Sequence, residues 1–170
     1  MNTEATSHPS PPSPTRDFTV ATFVVHDDRV LLLWHRKLQM WLPPGGHIEP
    51  NELPDEAAVR EVREEAGLAV ELVGERGLAI ERPRQLVRPV GIQLEDISPG
   101  HQHIDLIYFA RPARPQLTEA VGNAESEAIG WYTRAQMRER GINDEVRSWA
   151  IRAIHSVGGK ISRRSRPSAR

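Results

Sequence analysis

Gly46-His47-Ile48-Glu49-Pro50-Asn51-Glu52-Leu53-Pro54-Asp55-Glu56-Ala57-Ala58-Val59-Arg60-Glu61-Val62-Arg63-Glu64-Glu65-Ala66-Gly67-Leu68 is the stretch whose reading decides the fold. Pro54 suits a first helical position, where its missing N–H would have no intrahelical partner. From Asp55 to Ala66 there is no Gly or Pro, and most side chains are strong helix formers. Gly67 then supplies a residue that tolerates the left-handed backbone with which helices commonly end. At about 100° per residue, Glu61, Glu64 and Glu65 fall within an arc of about 100°, and Val59, Val62 and Ala66 fall on a separate arc. One face is apolar and packs. The other carries three carboxylates that repel one another unless a cation sits among them.

Taken alone, such a helix reads equally as an amphipathic surface helix with a solvated acidic face. The flanking residues change that. Gly46, Glu52, Arg60, Glu61, Glu64, Glu65 and Gly67, with apolar Val62 and Leu68, match the Nudix box G-x5-E-x7-R-E-U-x-E-E-x-G-U at every fixed position. With residue frequencies of roughly one in fifteen, seven identities in register arise on the order of once in 10⁸ starting positions. The chain is therefore identified as resembling the Nudix hydrolases.

The resemblance implies an α/β/α sandwich with a mixed β-sheet and a catalytic helix that follows a Gly-rich loop. It also implies roles: Glu61, Glu64 and Glu65 as metal ligands, the backbone carbonyl of Gly46 as a further oxygen, and Arg60 with Glu52 as the ion pair that holds the helix against the preceding loop. Without the family, Arg60 would read as an i,i+4 partner of Glu64 or Glu56. Two positions depart from the commoner family pattern. Asn51 stands where glycine is frequent, and Asn tolerates a left-handed backbone. Leu53 stands where Ser or Thr often caps the helix, and loss of that cap costs about 1 kcal/mol.

Phosphoanhydride hydrolysis needs charge neutralised on the transferred phosphorus and a water presented in line. Mg²⁺ takes oxygen ligands and keeps several waters, so a few carboxylates on a rigid helix plus substrate phosphates suit it, and Mn²⁺ is a natural substitute. Such an ion also lowers the raised proton affinities that crowded carboxylates otherwise suffer.

The rest of the chain sets bounds. Its 170 residues, 38% of them hydrophobic, suffice for one domain with a sizeable core. No cysteine is present, which excludes disulfides and thiolate metal sites and fits a reducing, cytoplasmic setting. A formal charge of −1 argues against the broad positive field of a duplex-binding surface, so no stable nucleic-acid complex is expected. No apolar run reaches 18 residues, so no membrane span is expected. Residues 1–16 read as a disordered leader, 17–157 as the domain, and 158–170, opened by Gly158-Gly159 and rich in Arg, as a basic flexible tail. The oligomeric state is open, with a homodimer one option.

Within the domain, strands are expected at Phe18 to Val25 and Val30 to Trp34, joined through His26-Asp27-Asp28 as a hairpin. Trp41 to Gly46 is expected as loop, leading into a short His47-Ile48-Glu49. Further strands are expected at Val70 to Ile80, Leu86 to Leu94, Ile104 to Ala110 and Ala128 to Tyr132. Thr133 is positioned to cap a short helix through Arg138, and Asp144 to open a closing helix to His155.

Outside the box, His101-Gln102-His103-Ile104-Asp105 stands out. On a strand, His103 and Asp105 share a face with Ile107, while Ile104, Leu106 and Tyr108 share the other. That makes His103 and Asp105 candidates for lining a substrate pocket. A His-x-His pair also suits a transition metal, but no third ligand is evident in sequence. Glu125 and Glu127, just before Ala128-Ile129-Gly130-Trp131, are candidates for the remote glutamate that many Nudix proteins use as general base or extra metal ligand. Either also reads as a loop acid. Trp41, Trp34 and Tyr108 are candidates for stacking on a nucleobase, although a Trp is more often core.

What the resemblance implies for function is Mg²⁺-dependent cleavage of a nucleoside diphosphate linked to a moiety X. A (deoxy)nucleoside triphosphate, giving NMP and pyrophosphate, is the favoured small-molecule substrate. Pro83, fifteen residues past Leu68, has a spacing seen in Nudix enzymes acting on ADP-ribose, which keeps ADP-ribose or a nucleotide sugar as the alternative. A non-catalytic nucleotide-sensing module is the alternative of another class, and the complete set of box carboxylates disfavours it.

Overall fold

The structure, a computed structural model, describes residues 13–164, with side chains described through residue 158. Eight strands and three helices follow in the order β1 (Thr15–His26), β2 (Arg29–His35), β3 (Met40–Leu42), β4 (Gly45–His47), α1 (Pro54–Ala66), β5 (Val70–Leu72), β6 (Gly91–Ser98), β7 (His101–Pro112), β8 (Ser126–Tyr132), α2 (Arg134–Glu139) and α3 (Asp144–Arg164). The spine of the sheet is β3-β2-β1-β7-β5, with β4 added to β1, β6 to β7 and β8 to β2. Among the described residues only β1 and β7 run parallel, in register from Thr15 opposite His101 to Val24 opposite Ala110. This is the mixed sheet that the sequence predicts.

Alternation along β1 and β7 sorts the helices onto opposite faces. Phe23, Val25, Ile107 and Phe109 point to one face and pack with Val146, Ala150, Ala153, Ile154 and Val157 of α3. Val24, Leu31 and Ala110 point to the other and meet Val62 and Ala66 of α1. Farther along that second face, Val20 and Tyr108 meet Ala57 and Ala58, and the Thr22 hydroxyl donates to the Ala58 carbonyl at 3.2 Å. The three layers of the expected sandwich are thus built from two interleaved apolar rows.

Several boundaries differ from the sequence expectation. The Pro43-Pro44-Gly45-Gly46 stretch is flanked and partly occupied by strand, because β3 pairs with β2 and β4 with β1. A side chain at Gly45 would place its Cβ 2.2 Å from the Val20 carbonyl oxygen, so only glycine lets β4 approach β1 so closely. The strand expected over Val70 to Ile80 stops at Leu72, and Leu78 and Ile80 lie exposed in a loop tied back by a single Arg76–Val87 bridge. The strand expected from Leu86 starts instead at Gly91, after Pro89, which has no N–H to give a ladder. β1 begins at Thr15, so its first two residues come from the segment assigned to the leader; Thr15 N–H donates to the Gly100 carbonyl at 3.0 Å. Residues 1–12 of that leader lie outside the described residues. Finally, α3 continues to Arg164 rather than ending near His155, because its buried row carries on through Val157. Among the described residues no helix is long and apolar enough to cross a membrane.

Candidate active site

Helix α1 starts and stops as its local chemistry dictates. Pro54 occupies the first turn, and Leu53 at the N-cap makes no side-chain hydrogen bond. Gly67 ends it with φ 67°, its N–H donating to the Arg63 carbonyl. Asn51 takes φ 68° in the loop before it. The apolar side of α1 is fixed by Ala57, Ala58, Val62 and Ala66, all fully buried, so the carboxylate side is held rigidly toward Gly45 and Gly46.

Arg60 organises this side. Its Nε and Nη2 donate to the two carboxylate oxygens of Glu52 at 2.7 and 2.9 Å, a fork-to-fork pair. Nη2 also donates to the His47 carbonyl at 2.9 Å, tying α1 to β4. Nη1 donates to Glu61 at 2.8 Å and to Glu64 at 3.0 Å. The ion pair expected between Arg60 and Glu52 is therefore present, and the i,i+4 contact with Glu64 accompanies it. Arg60 holds the Glu52 carboxyl below its ordinary proton affinity, helped by the Glu49 N–H.

The remaining acids are pushed the other way. Burial raises Glu61, opposed by Arg60. Burial lifts Glu65 to about 7, against the Gly45 N–H that donates to it at 2.9 Å, with Glu61 and Glu125 adding like charge. Gly46 lies directly under Glu61: a Cβ there would sit 2.5 Å from Glu61 Oε1. Gly45 and Gly46 thus meet Glu61 and Glu65, with Glu64 tied to the same cluster through Arg60, and the acidic donors are all oxygen. That set fits a hard divalent ion such as Mg²⁺ or Mn²⁺. Raised proton affinity in buried, crowded carboxylates is the electrostatic signature of a place suited to a cation.

Beside this point opens a cavity of about 860 Å³. It exists because β1 changes partner: Thr19 to Ala21 pair with β4, whereas only Val25 and His26 pair with β2, so the sheet splits between them. Thr19, Ala21 and Phe23 of β1 and His103 and Asp105 of β7 form the floor, and Gly45, Gly46 and Glu65 form the wall toward α1. Leu38, Leu42, Pro43, Ile97 and Val146 supply apolar lining. Glu64 instead faces a neighbouring depression of about 790 Å³ that Arg60 and Arg84 also line.

The two remote acids separate. Glu125 lines the cavity and contributes to the field at Glu65, while Glu127 lies outside it, 3.8 Å from Arg36. Asp105 is buried, accepts a 3.0 Å hydrogen bond from the Thr19 hydroxyl, and is lifted by burial to about 6. His103 is pushed down by burial and by His47 and His101. Trp41, expected near substrate, lies in the core instead, its ring 5.0 Å from Tyr132 and 5.5 Å from Trp34, with the Arg140 guanidinium over it. Tyr108 is buried on the opposite face against α1, and Trp34 is likewise absent from the lining. Pro83 sits in an exposed loop away from the cavity.

Some lining residues carried no signal in the sequence. Glu145, at the start of α3, is raised by burial and accepts from Gln93. Glu95 faces the same cavity from β6. Asp17 and His47 stand beside His103. Each owes its place to strand or helix packing across distant segments, which no local pattern records.

Comparison with known proteins agrees with this geometry. The sequence model of the NUDIX domain matches residues 15–152. An 8-oxo-dGDP phosphatase of Homo sapiens is 31% identical over 137 residues, covering 75% of this chain and 37% of that protein. A putative 8-oxo-dGTP diphosphatase of Bacillus subtilis is 34% identical over 70 residues, 39% of this chain and 46% of that one. The chain thus spans under half the length of both curated relatives. A solved NUDIX-family hydrolase from Clostridium perfringens superposes with a TM-score of 0.74 at 36% identity, covering 84% of this chain and 99% of that one.

Proposed function

Because the chain belongs to the Nudix hydrolase family, we propose that it hydrolyses the diphosphate linkage of a nucleoside diphosphate linked to X, with a (deoxy)nucleoside triphosphate as substrate and NMP and pyrophosphate as products. The observation that carries this is the buried Glu65 beside Gly45 and Gly46, with Glu61 directly over Gly46, on the wall of a cavity of about 860 Å³, a size within the range of small-molecule sites. The two curated relatives, named an 8-oxo-dGDP phosphatase and a putative 8-oxo-dGTP diphosphatase, support a nucleotide substrate without choosing between di- and triphosphate.

Each residue has a task in this proposal. Gly46, Glu61, Glu64 and Glu65 would hold Mg²⁺, or Mn²⁺ in its place; when bound, such an ion neutralises phosphate charge and lowers the proton affinity of water. Glu52 fixes the guanidinium plane of Arg60, and Arg60 in turn fixes Glu61 and Glu64 and the backbone at His47. Glu125, the one of the two remote acids that lines the cavity, would take a proton from the attacking water. Arg36 and Lys37, at the cavity mouth, offer positive charge to the phosphates. Asp105 offers the edge of a base a hydrogen-bonding carboxyl within a mostly apolar floor.

ADP-ribose or a nucleotide sugar is the alternative substrate, carried by the spacing of Pro83 past Leu68. A side-by-side measurement of phosphate and pyrophosphate release tests the proposal, using (d)NTPs, oxidised nucleotides, ADP-ribose, nucleotide sugars and dinucleoside polyphosphates, with and without Mg²⁺. Turnover of a triphosphate, lost in Glu64→Gln, supports it. Equal turnover by wild type and Glu64→Gln removes the site, and nucleotide binding without turnover by wild type makes the chain a sensor.

A further inference from the structure

We propose that Asp17, His47, His101 and His103 form a second metal site at the rim of the cavity, separate from the carboxylate cluster and selective for a borderline transition metal such as Zn²⁺. Sheet register brings these side chains together. Asp17 lies opposite His103 in the parallel β1–β7 pair, Thr15 lies opposite His101, and Thr19 lies opposite His47 in the antiparallel β1–β4 pair. Alternate residues of a strand share a face, so Thr15, Asp17 and Thr19 line up beside His101, His103 and Asp105. Three strands therefore deliver one carboxylate and three imidazoles to one patch.

The distances suit ligation better than they suit hydrogen bonding. One ligand atom each from Asp17, His47 and His103 lies within 4.8 Å of the others. Asp17 Oδ2 is 3.6 Å from His47 Nε2 and 3.6 Å from His101 Nε2. Both contacts exceed hydrogen-bond length. They approach the separation of about 3.3 Å between ligand atoms around a tetrahedral ion with bonds of about 2.0 Å. The rings stand edge to face, His47 and His103 at 78° and His101 and His103 at 90°. His101 Nδ1 lies 3.0 Å from the Thr15 hydroxyl, an outer contact that fixes the ring with Nε2 toward Asp17.

Chemistry separates this site from the one on α1. Imidazole nitrogen favours Zn²⁺, Co²⁺ or Ni²⁺, whereas the box offers only oxygen to a hard ion. His47 directly follows Gly46 within the box, so a metal here would cross-link β4 to β1 and β7 one residue from the carbonyl proposed as a Mg²⁺ ligand. The inference does not depend on the chain being a pyrophosphatase.

The test uses the full chain stripped with EDTA and titrated with Co²⁺ and with Zn²⁺. Co²⁺ reports its own ligand set through visible absorption, and calorimetry gives Zn²⁺ affinity. Wild type should show tetrahedral Co²⁺ absorption. The Glu61→Gln/Glu64→Gln/Glu65→Gln variant should retain it. A His47→Ala/His103→Ala variant, its fold checked by circular dichroism, should lose it, with Zn²⁺ affinity falling by more than the roughly 10–100-fold that outer-sphere changes cost. No cobalt absorption in wild type, its loss in the glutamine variant, or its survival in the alanine variant would each overturn the site. Should the alanine variant fail to fold, imidazole NMR of wild type decides: Zn²⁺ must shift His47, His101 and His103 and leave His26, His35 and His155 in place, and any other pattern refutes it.

Discussion

Replacing Glu65 by Gln should make the metal-free protein more stable at alkaline pH while destroying its proposed activity. Glu65 is 6% exposed, and burial raises its pKa from 4.5 to about 7. Below about pH 4.5 the carboxyl is protonated in both the folded and unfolded states and contributes nothing. As pH rises from 4.5 to 7 the unfolded chain gives up this proton while the fold retains it, so stability falls, and above 7 the loss is complete. The gap between 4.5 and about 7, at 1.36 kcal/mol per pH unit, comes to about 3 kcal/mol as an upper bound, since Glu61 and Glu125 share the field. Glutamine keeps an acceptor for the Gly45 N–H and removes the charge. Thermal melts in EDTA should therefore show the variant and wild type close together at pH 4.5 and separated at pH 8, by roughly 6–12 °C at that bound. Mg²⁺ should recover much of the difference in wild type at pH 8 and little in the variant. Melting curves offset by the same amount at both pH values would refute the argument, because the effect would then be packing rather than charge.

Three further outcomes follow from the same geometry. Arg60→Lys keeps the charge but cannot span Glu52, Glu61, Glu64 and the His47 carbonyl together, so turnover should fall about 10–100-fold with the fold intact by circular dichroism. Gly46→Ala forces a methyl group to within 2.5 Å of Glu61 Oε1, and Mg²⁺ titration of turnover should show weaker apparent metal affinity with little change in melting temperature. Glu125→Gln should lower turnover by about 10²–10⁴-fold if that side chain is the base, whereas Glu127→Gln, outside the cavity, should leave it unchanged; equal effects would return Glu125 to the role of a loop acid.

How far the sequence reaches can be judged at particular residues. Helix α1 was legible to its ends because Pro54, Asn51 and Gly67 act through local backbone preference, and the α2 capping box at Thr133 and Gln136 is equally local. The Gly45-Gly46 pairing with β1 was not legible, since a Pro-Pro-Gly-Gly run scores as turn and the strand it joins lies more than twenty residues back. Residue type leaves Trp34, Trp41 and Tyr108 open to either stacking or core, and the structure puts Trp41 and Tyr108 on the packed side of their strands. His103 and Asp105 were placed correctly on one face by alternation alone, yet their neighbours Asp17 and His47 arrive through register between segments far apart in sequence. Glu125 and Glu127 could not be told apart until β8 fixed which of them turns inward.

The parallel seam between β1 and β7 also governs when the molecule can assemble. Thr15 meets His101 across 86 residues, so this ladder cannot form until β7 has been made, although β1 can pair with β2 and β4 much sooner. At a synthesis rate of about 5–20 residues per second, the β7-facing edge of the first strand waits roughly 4–17 s for its partner, and closing so long a loop carries an entropic cost of about 4 kcal/mol. Until then that edge of β1, along which Val20, Phe23, Val24 and Val25 lie, is open to any other unpaired strand. Birth order, more than final stability, sets the moment at which this chain is most exposed to aggregation.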